Sequence, residues 1–263
     1  MKNTELTIQE ALRILDTASD FHLGAEKVLR FVGDPNVDGD NIAEHTARAM
    51  RLAVYAMPFI LVEFAGDPEI KNLAENIYAT ILVHDDEEIE QGFDIISPKK
   101  KHNVRDEEEI ELVNKKMKKL PAASRHYVIN LFSAFRKRNT LASKIAKVFD
   151  NLSGNQVVLE QKLSIVGPDA ARFTVYFIDR TRGASKITDL LINAQIKQVL
   201  EYREFSKNNI SEIKMLAKKV ITQEGCKLSI SELEKLIKKL LNIEVLSHPL
   251  NKEKVSMKIW EYQ

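Results

Sequence analysis

The sequence predicts an all-α fold, and three observations predict it. Its 263 residues contain only nine glycines and seven prolines, fewer turn-formers than a β-rich chain needs. Apolar residues recur three and four positions apart along most of the chain, the period of a helix with one buried face. Cap signals stand where that period begins, at Asn41 and in Ser229-x-x-Glu232. Apolar residues make up 44% of the chain and charged residues 29%, an ordinary balance for a globule that buries a core.

The elements follow in order. Leu6, Ile8, Leu12 and Leu15 repeat at helical spacing behind Thr4 and predict a helix ending near Ser19 and Asp20. A second, short helix is expected over Ala25 to Val32. Gly33 to Asp40 is a loop by composition, after which Asp40 or Asn41 caps a long helix through Ile42, Met50, Ala53, Val54 and Met57. Leu73, Ala74, Ile77, Ile81 and Leu82 carry the next helix, which closes at His84 and Asp85. Beyond a loop over Gly92 to Lys101, the segment Arg105 to Lys119 is strongly charged, with Ile110, Val113 and Met117 as a thin apolar stripe that Pro121 ends. Tyr127, Leu131 and Phe135, then Leu141, Ile145, Val148, Phe149 and Leu152, continue the period on either side of Asn139 and Thr140. Phe173 to Ile178 is β-branched and aromatic and reads equally as a short strand; Ile187 to Phe205 reads as a helix.

Residues 1–205 read as one unit and 206–263 as a mainly helical appendage. In the latter, Ile210, Ile213, Leu216 and Val220 share one helical face. A second helix starts at the Ser229–Glu232 capping box, with Leu228 and Leu233 as its hydrophobic staple, and Ile230, Leu233, Ile237, Leu240 and Leu241 make its apolar face. Eleven Lys against seven Glu give the appendage a net charge of +4, which reads as solvated helix faces rather than a nucleic-acid surface. Lys and Arg total 39 against 38 Asp and Glu overall, so neither nucleic acid nor a membrane is expected as a partner. The start lacks a long apolar core. The longest apolar stretch, Ala53 to Val62, contains Pro58 and falls short of the roughly 20 residues that span a bilayer. The single cysteine, Cys226, excludes an internal disulfide and a cysteine cage, and a cytoplasmic location is expected.

Four residues suggest chemistry. His84-Asp85 at a helix end could be no more than favourable charge placement. His45 lies four residues after a cap, and Asp150 falls inside the apolar run Ile145, Val148, Phe149, Leu152, where a lone carboxylate is costly to bury. A buried carboxylate needs a cation, and two imidazoles with two carboxylates form a mixed nitrogen–oxygen donor set. That set suits Mn²⁺, Co²⁺, Fe²⁺, Zn²⁺ or, less well, Mg²⁺.

The segments Asn41-Ile42-Ala43-Glu44-His45, Leu82-Val83-His84-Asp85-Asp86-Glu87-Glu88 and Ala146-Lys147-Val148-Phe149-Asp150-Asn151-Leu152 together resemble the H…HD…D signature of HD-domain phosphohydrolases, nearest to the 5′-deoxynucleotidase branch. The resemblance covers about residues 25 to 165. It implies an HD-domain helical bundle of about five core helices with additional helices at both ends. It also implies one divalent ion held by His45, His84, Asp85 and Asp150, a small-molecule nucleotide substrate, and a homodimer. In that branch an Arg-Trp pair precedes the first ligand; Arg30-Phe31 falls at the matching spacing, Arg30 to hold the phosphate and Phe31 in the place of a Trp beside the sugar. Glu88 matches an acid that follows the HD pair and orients the attacking water. Four residues after His84, it would project from the same face of an unbroken helix. Asp94, ahead of Ser97-Pro98, matches a residue that protonates the leaving oxygen, although the usual Gly-Asp is here split as Gly92-Phe93-Asp94.

Glu44 reads as a capping partner of Asn41, Asp86 and Glu87 as solvated side chains, and His22, His102, His126 and His248 as ordinary. The activity implied is hydrolysis of nucleoside 5′-monophosphates. Cyclic-nucleotide, (p)ppGpp or dNTP hydrolysis is the alternative within the superfamily. A non-catalytic helical scaffold stabilised by its ion is the alternative outside it.

Overall fold

The computed structural model describes residues 6–30, 40–67, 70–92, 105–160, 181–202 and 229–241. These form α1 (Ile8–Lys27), α2 (Ile42–Glu63), α3 (Leu73–Val83), α4 (Asp86–Gln91), α5 (Arg105–Lys116) with a 3₁₀ turn Met117–Lys119, α6 (Ala122–Lys137), α7 (Leu141–Glu160), α8 (Lys186–Tyr202) and α9 (Ile230–Leu241). The fold is all-α, as expected. The one extended pairing among the described residues is an isolated antiparallel bridge between Leu29 and Asn41. None of the described helices is long and apolar enough to cross a membrane. Thr4, Phe31, Asp94, the segments Phe173–Ile178 and Ile210–Val220, Cys226 and Leu228 lie outside the described residues.

α1 corrects the expected start. A capping box sets its beginning at Thr7: the Glu10 amide donates to Thr7 Oγ1 (3.2 Å), and the Thr7 amide donates to Glu10 Oε2 (3.0 Å). The helix does not end at Ser19 and Asp20. Both are exposed, where polar side chains are tolerated, and the helix runs on to Lys27 in place of a second one over Ala25 to Val32. Ile8, Leu12 and Leu15 are exposed rather than buried. Gly24 lies against Ile89 of α4 so closely that a Cβ would strike the Ile89 side chain. Beyond Lys27 the chain turns extended at Val28, and two backbone bonds, Arg30 N–H to Asp40 O (2.8 Å) and Ile42 N–H to Val28 O (3.1 Å), tie Arg30 to the start of α2.

Asn41 caps α2, its Oδ1 accepting from the Glu44 amide at 2.9 Å, which is the capping role expected of that pair. Ala49, Ala53 and Ala56 on the buried face let α2 approach its neighbours. α7 packs against α2, α3, α6 and α8. Its buried Ile145, Val148, Phe149 and Leu152 are the stripe the spacing predicts. They meet Met57 and Ile60 of α2, Ile77 and Ile81 of α3, and Ile192 and Ile196 of α8. Val113 and Met117 of the charged segment join Phe132 in a second cluster. On α6 the buried face carries Phe132 and Phe135, while Tyr127, expected inside, is exposed: the face is shifted by one residue toward Phe132. α9 begins at the capping box, where the Glu232 amide donates to Ser229 Oγ (3.3 Å); α9 packs against α8, and its Leu236 touches the main core.

Candidate metal centre

Three core helices end or pass at one point. α2 brings His45 from its first turn, α3 ends at His84 with Asp85 following, and α7 passes with Asp150 at mid-helix. His45 Nε2 lies 3.2 Å from His84 Nε2 and 3.0 Å from Asp150 Oδ1. His84 Nε2 lies 3.0 Å from Asp85 Oδ2 and 3.6 Å from Asp150 Oδ1, and Asp85 Oδ2 lies 3.7 Å from His45 Nε2. The structure therefore brings together all four residues singled out as ligands. Both imidazoles are closed off from solvent, and Asp85 and Asp150 are buried.

The far side of each imidazole is fixed. His84 Nδ1 donates to the Ile81 carbonyl at 2.6 Å. Ser153 Oγ donates to the His45 carbonyl (2.9 Å) and so accepts from His45 Nδ1 (3.0 Å). Each Nδ1 carries a proton, and both Nε2 atoms face the cluster. Two facing lone pairs between two carboxylates repel unless something positive lies among them. Asp85 Oδ2 is buried, and it faces the two Nε2 atoms at 3.0 and 3.7 Å. Donors about 2.0–2.2 Å from a common ion, at tetrahedral or right angles, stand about 2.8–3.6 Å apart. The observed separations of 3.0 to 3.7 Å lie close to that spacing. The donor set fits a divalent cation.

The protonation equilibria reflect the same demand. Burial, reinforced by the positive charge of Arg30, pushes His45 down to about 4. Burial alone would lower His84 too, but the charge of Asp85 and hydrogen bonds to both carboxylates outweigh it and raise His84 to about 10. Asp85 and Asp150 both fall below the usual carboxylate range despite burial, Asp85 through His84 and Asp150 through Lys147 and the imidazoles. Positive charge at the imidazoles is thus favoured by the two carboxylates, as a cation there would be.

The surroundings hold residues the sequence did not single out. Lys147 Nζ bonds Asp150 Oδ2, leaving Oδ1 for the centre, and lies 5.2 Å from the Phe135 ring. Lys147, Asp150 and Ser153 are spaced i, i+3, i+6 along α7, a signal readable in hindsight. Asp86 and Glu87, expected to be solvated, are buried, Glu87 completely, because α4 folds back between α1 and α5. Burial pushes Asp86 well above the carboxylate range. Glu87 pairs with Arg136 of α6.

Glu88 reaches the site by a different route from the one expected. The helix is broken at His84-Asp85, so Glu88 belongs to α4 rather than to the face of His84. It is buried, and its carboxylate lies within 4.8 Å of those of Asp85 and Glu87. Arg30 is half-buried at the α2 start, close enough to act on His45, Asp85 and Asp40. Phe31 and Asp94 lie outside the described residues, and His22 makes a surface pair with Glu26 at 3.4 Å. Against known proteins, a family model described as HD domain matches residues 26–175. No curated protein and no solved structure matches the chain.

Proposed function

The chain belongs to the HD-domain family, which consists in general of metal-dependent phosphohydrolases, and on that premise we propose that it hydrolyses nucleoside 5′-monophosphates to nucleoside and phosphate. One observation carries the reading: four buried donors from three separate segments converge with their free valences facing one another. His45, His84, Asp85 and Asp150 would hold the ion, one of Mn²⁺, Co²⁺, Fe²⁺, Zn²⁺ or Mg²⁺. When bound, the ion supplies acidification of a water and neutralisation of phosphoryl charge.

The chain's own residues do the rest. Ser153 and the Ile81 carbonyl keep both imidazoles in the tautomer that presents Nε2. Lys147 holds Asp150 by its second oxygen. Arg30, a permanently charged fork of donors, binds the substrate phosphate at the rim of the cluster. Glu88, whose carboxylate borders that of Asp85, orients the attacking water and takes its proton. By the resemblance alone, Asp94 would protonate the departing nucleoside oxygen and Phe31 would stand in the place of the Trp that meets the sugar. The nucleotide preference rests on Arg30, Phe31, Glu88 and Asp94 falling at the spacings of the 5′-deoxynucleotidase branch.

Phosphate release from a panel of mono-, cyclic and triphosphate nucleotides, each with Mn²⁺, Co²⁺ and Mg²⁺, tests the proposal. Release from 5′-monophosphates is expected, falling by about 100-fold or more in Asp85→Ala. Undiminished turnover in that variant rules out the mechanism. A protein that binds metal yet releases phosphate from no nucleotide is a scaffold.

A further inference from the structure

The HD pair poses a geometric problem. Successive side chains on an α-helix point about 100° apart, so an intact helix turns two adjacent residues away from one another. Here the helix breaks: His84 is the last residue near helical geometry (φ −68°, ψ −25°), and Asp85 departs from it (φ −113°, ψ 18°) before α4 starts. The Glu88 amide, which in a continuous helix would bond the His84 carbonyl, bonds the Asp85 carbonyl instead, at 3.0 Å. In its place Arg136 Nη2 donates to His84 O at 3.3 Å.

We propose that Arg136 is a positioning residue for the metal centre, holding the break that lets His84 and Asp85 point at one ion. Its guanidinium, bonded to the His84 carbonyl before the break, pairs with Glu87 on α4 after it and so ties both flanks to α6; it also lies 3.2 Å from Glu109 on α5. The group sits 4.9 Å from the Phe132 ring centroid and 5.7 Å from that of Phe135. Phe135 in turn meets the His84 imidazole edge-on at 5.3 Å, so backbone and ring of the ligand are braced by adjacent residues of α6. A planar fork reaches a carbonyl and two carboxylates together; the ammonium of a lysine is a point charge and cannot.

The inference rests on the four-residue cluster being the metal site, and the test separates the two. Mn²⁺ affinity is measured by titration calorimetry for the full chain and for Arg136→Lys, with apo-protein melting followed in parallel. Lysine keeps the charge between Glu87 and Glu109, so the expected result is a folded protein whose Mn²⁺ affinity drops about 10- to 100-fold, the range typical of groups that orient metal ligands. If Arg136→Lys does not fold, the variant Arg136→Met with Glu87→Gln and Glu109→Gln removes the buried charges together and is read the same way. A folded variant that binds Mn²⁺ within twofold of the unaltered protein overturns the role of Arg136 and leaves the metal centre standing. An unaltered protein that takes up no Mn²⁺ overturns both.

Discussion

Ser153→Ala should disable the centre without touching a ligand. Its hydroxyl is wholly buried, receives the His45 Nδ1 proton at 3.0 Å and donates to the His45 carbonyl at 2.9 Å. Without it the imidazole has two poor options. If Nδ1 keeps its proton, a buried donor goes unpaired at a cost of about 1–3 kcal/mol. If the proton moves to Nε2, it points at His84 Nε2 and Asp150 Oδ1, and metal binding must first expel it. Binding then bears a similar cost, about 10- to 100-fold in affinity. Either way the sum of the two losses is about 1–3 kcal/mol, divided between apo stability and metal affinity. Calorimetric melting of apo-protein, at roughly 2–4 °C per kcal/mol for a chain of this size, together with Mn²⁺ titration, measures both. A variant that melts and binds Mn²⁺ like the unaltered protein would show that the His45 tautomer is set by something other than Ser153.

The remaining predictions concern pH and phosphate. With His84 raised to about 10 and His45 lowered to about 4, the ion displaces one proton across the neutral range. Mn²⁺ affinity should therefore rise by about tenfold per pH unit between roughly pH 6.5 and 9, and a pH-independent affinity would contradict the protonated pair. The sign for apo stability is opposite: the contribution of a raised histidine is complete below its unfolded value and is lost as pH climbs toward the folded one, so apo-protein should melt lower at pH 9 than at pH 6.5. Arg30→Lys retains charge but loses the fork. The KM for a nucleoside 5′-monophosphate should rise by about tenfold or more, and an unchanged KM would remove Arg30 from phosphate binding.

Much of the fold was legible because its central helices bury regular stripes. Ile145, Val148, Phe149 and Leu152 occupy the interior the spacing assigns them, and Asn41 caps α2 as its position suggests. The end of the first helix is not legible, because Ser19 and Asp20 look like a terminus in sequence, whereas on an exposed face they interrupt nothing. The leucines before them, periodic but exposed, show that a stripe records capacity for burial and not a partner. Asp150 stood out as a carboxylate inside an apolar run, and His45, His84 and Asp85 joined it through their resemblance to the family signature. Asp86 and Glu87 did not, because three consecutive acids after the HD pair look solvated until α4 is seen folded between α1 and α5.

The motif was legible as letters, and its physical requirement was not. An unbroken helix would turn His84 and Asp85 about 100° apart, and the break at Asp85 changes their relative direction. No breaker residue marks that break: neither Gly nor Pro lies between Leu73 and Gln91. What holds it comes from outside the segment. Arg136 takes the carbonyl the break frees and pairs with Glu87 beyond it, and Gly24 of α1 admits Ile89, which seats α4. The first contact spans 52 residues and the second joins a helix before α2 in the chain to one after it, so neither leaves a periodic or local trace. A ligand's identity is written at its own position, whereas its direction is set by the residues that stabilise the backbone around it.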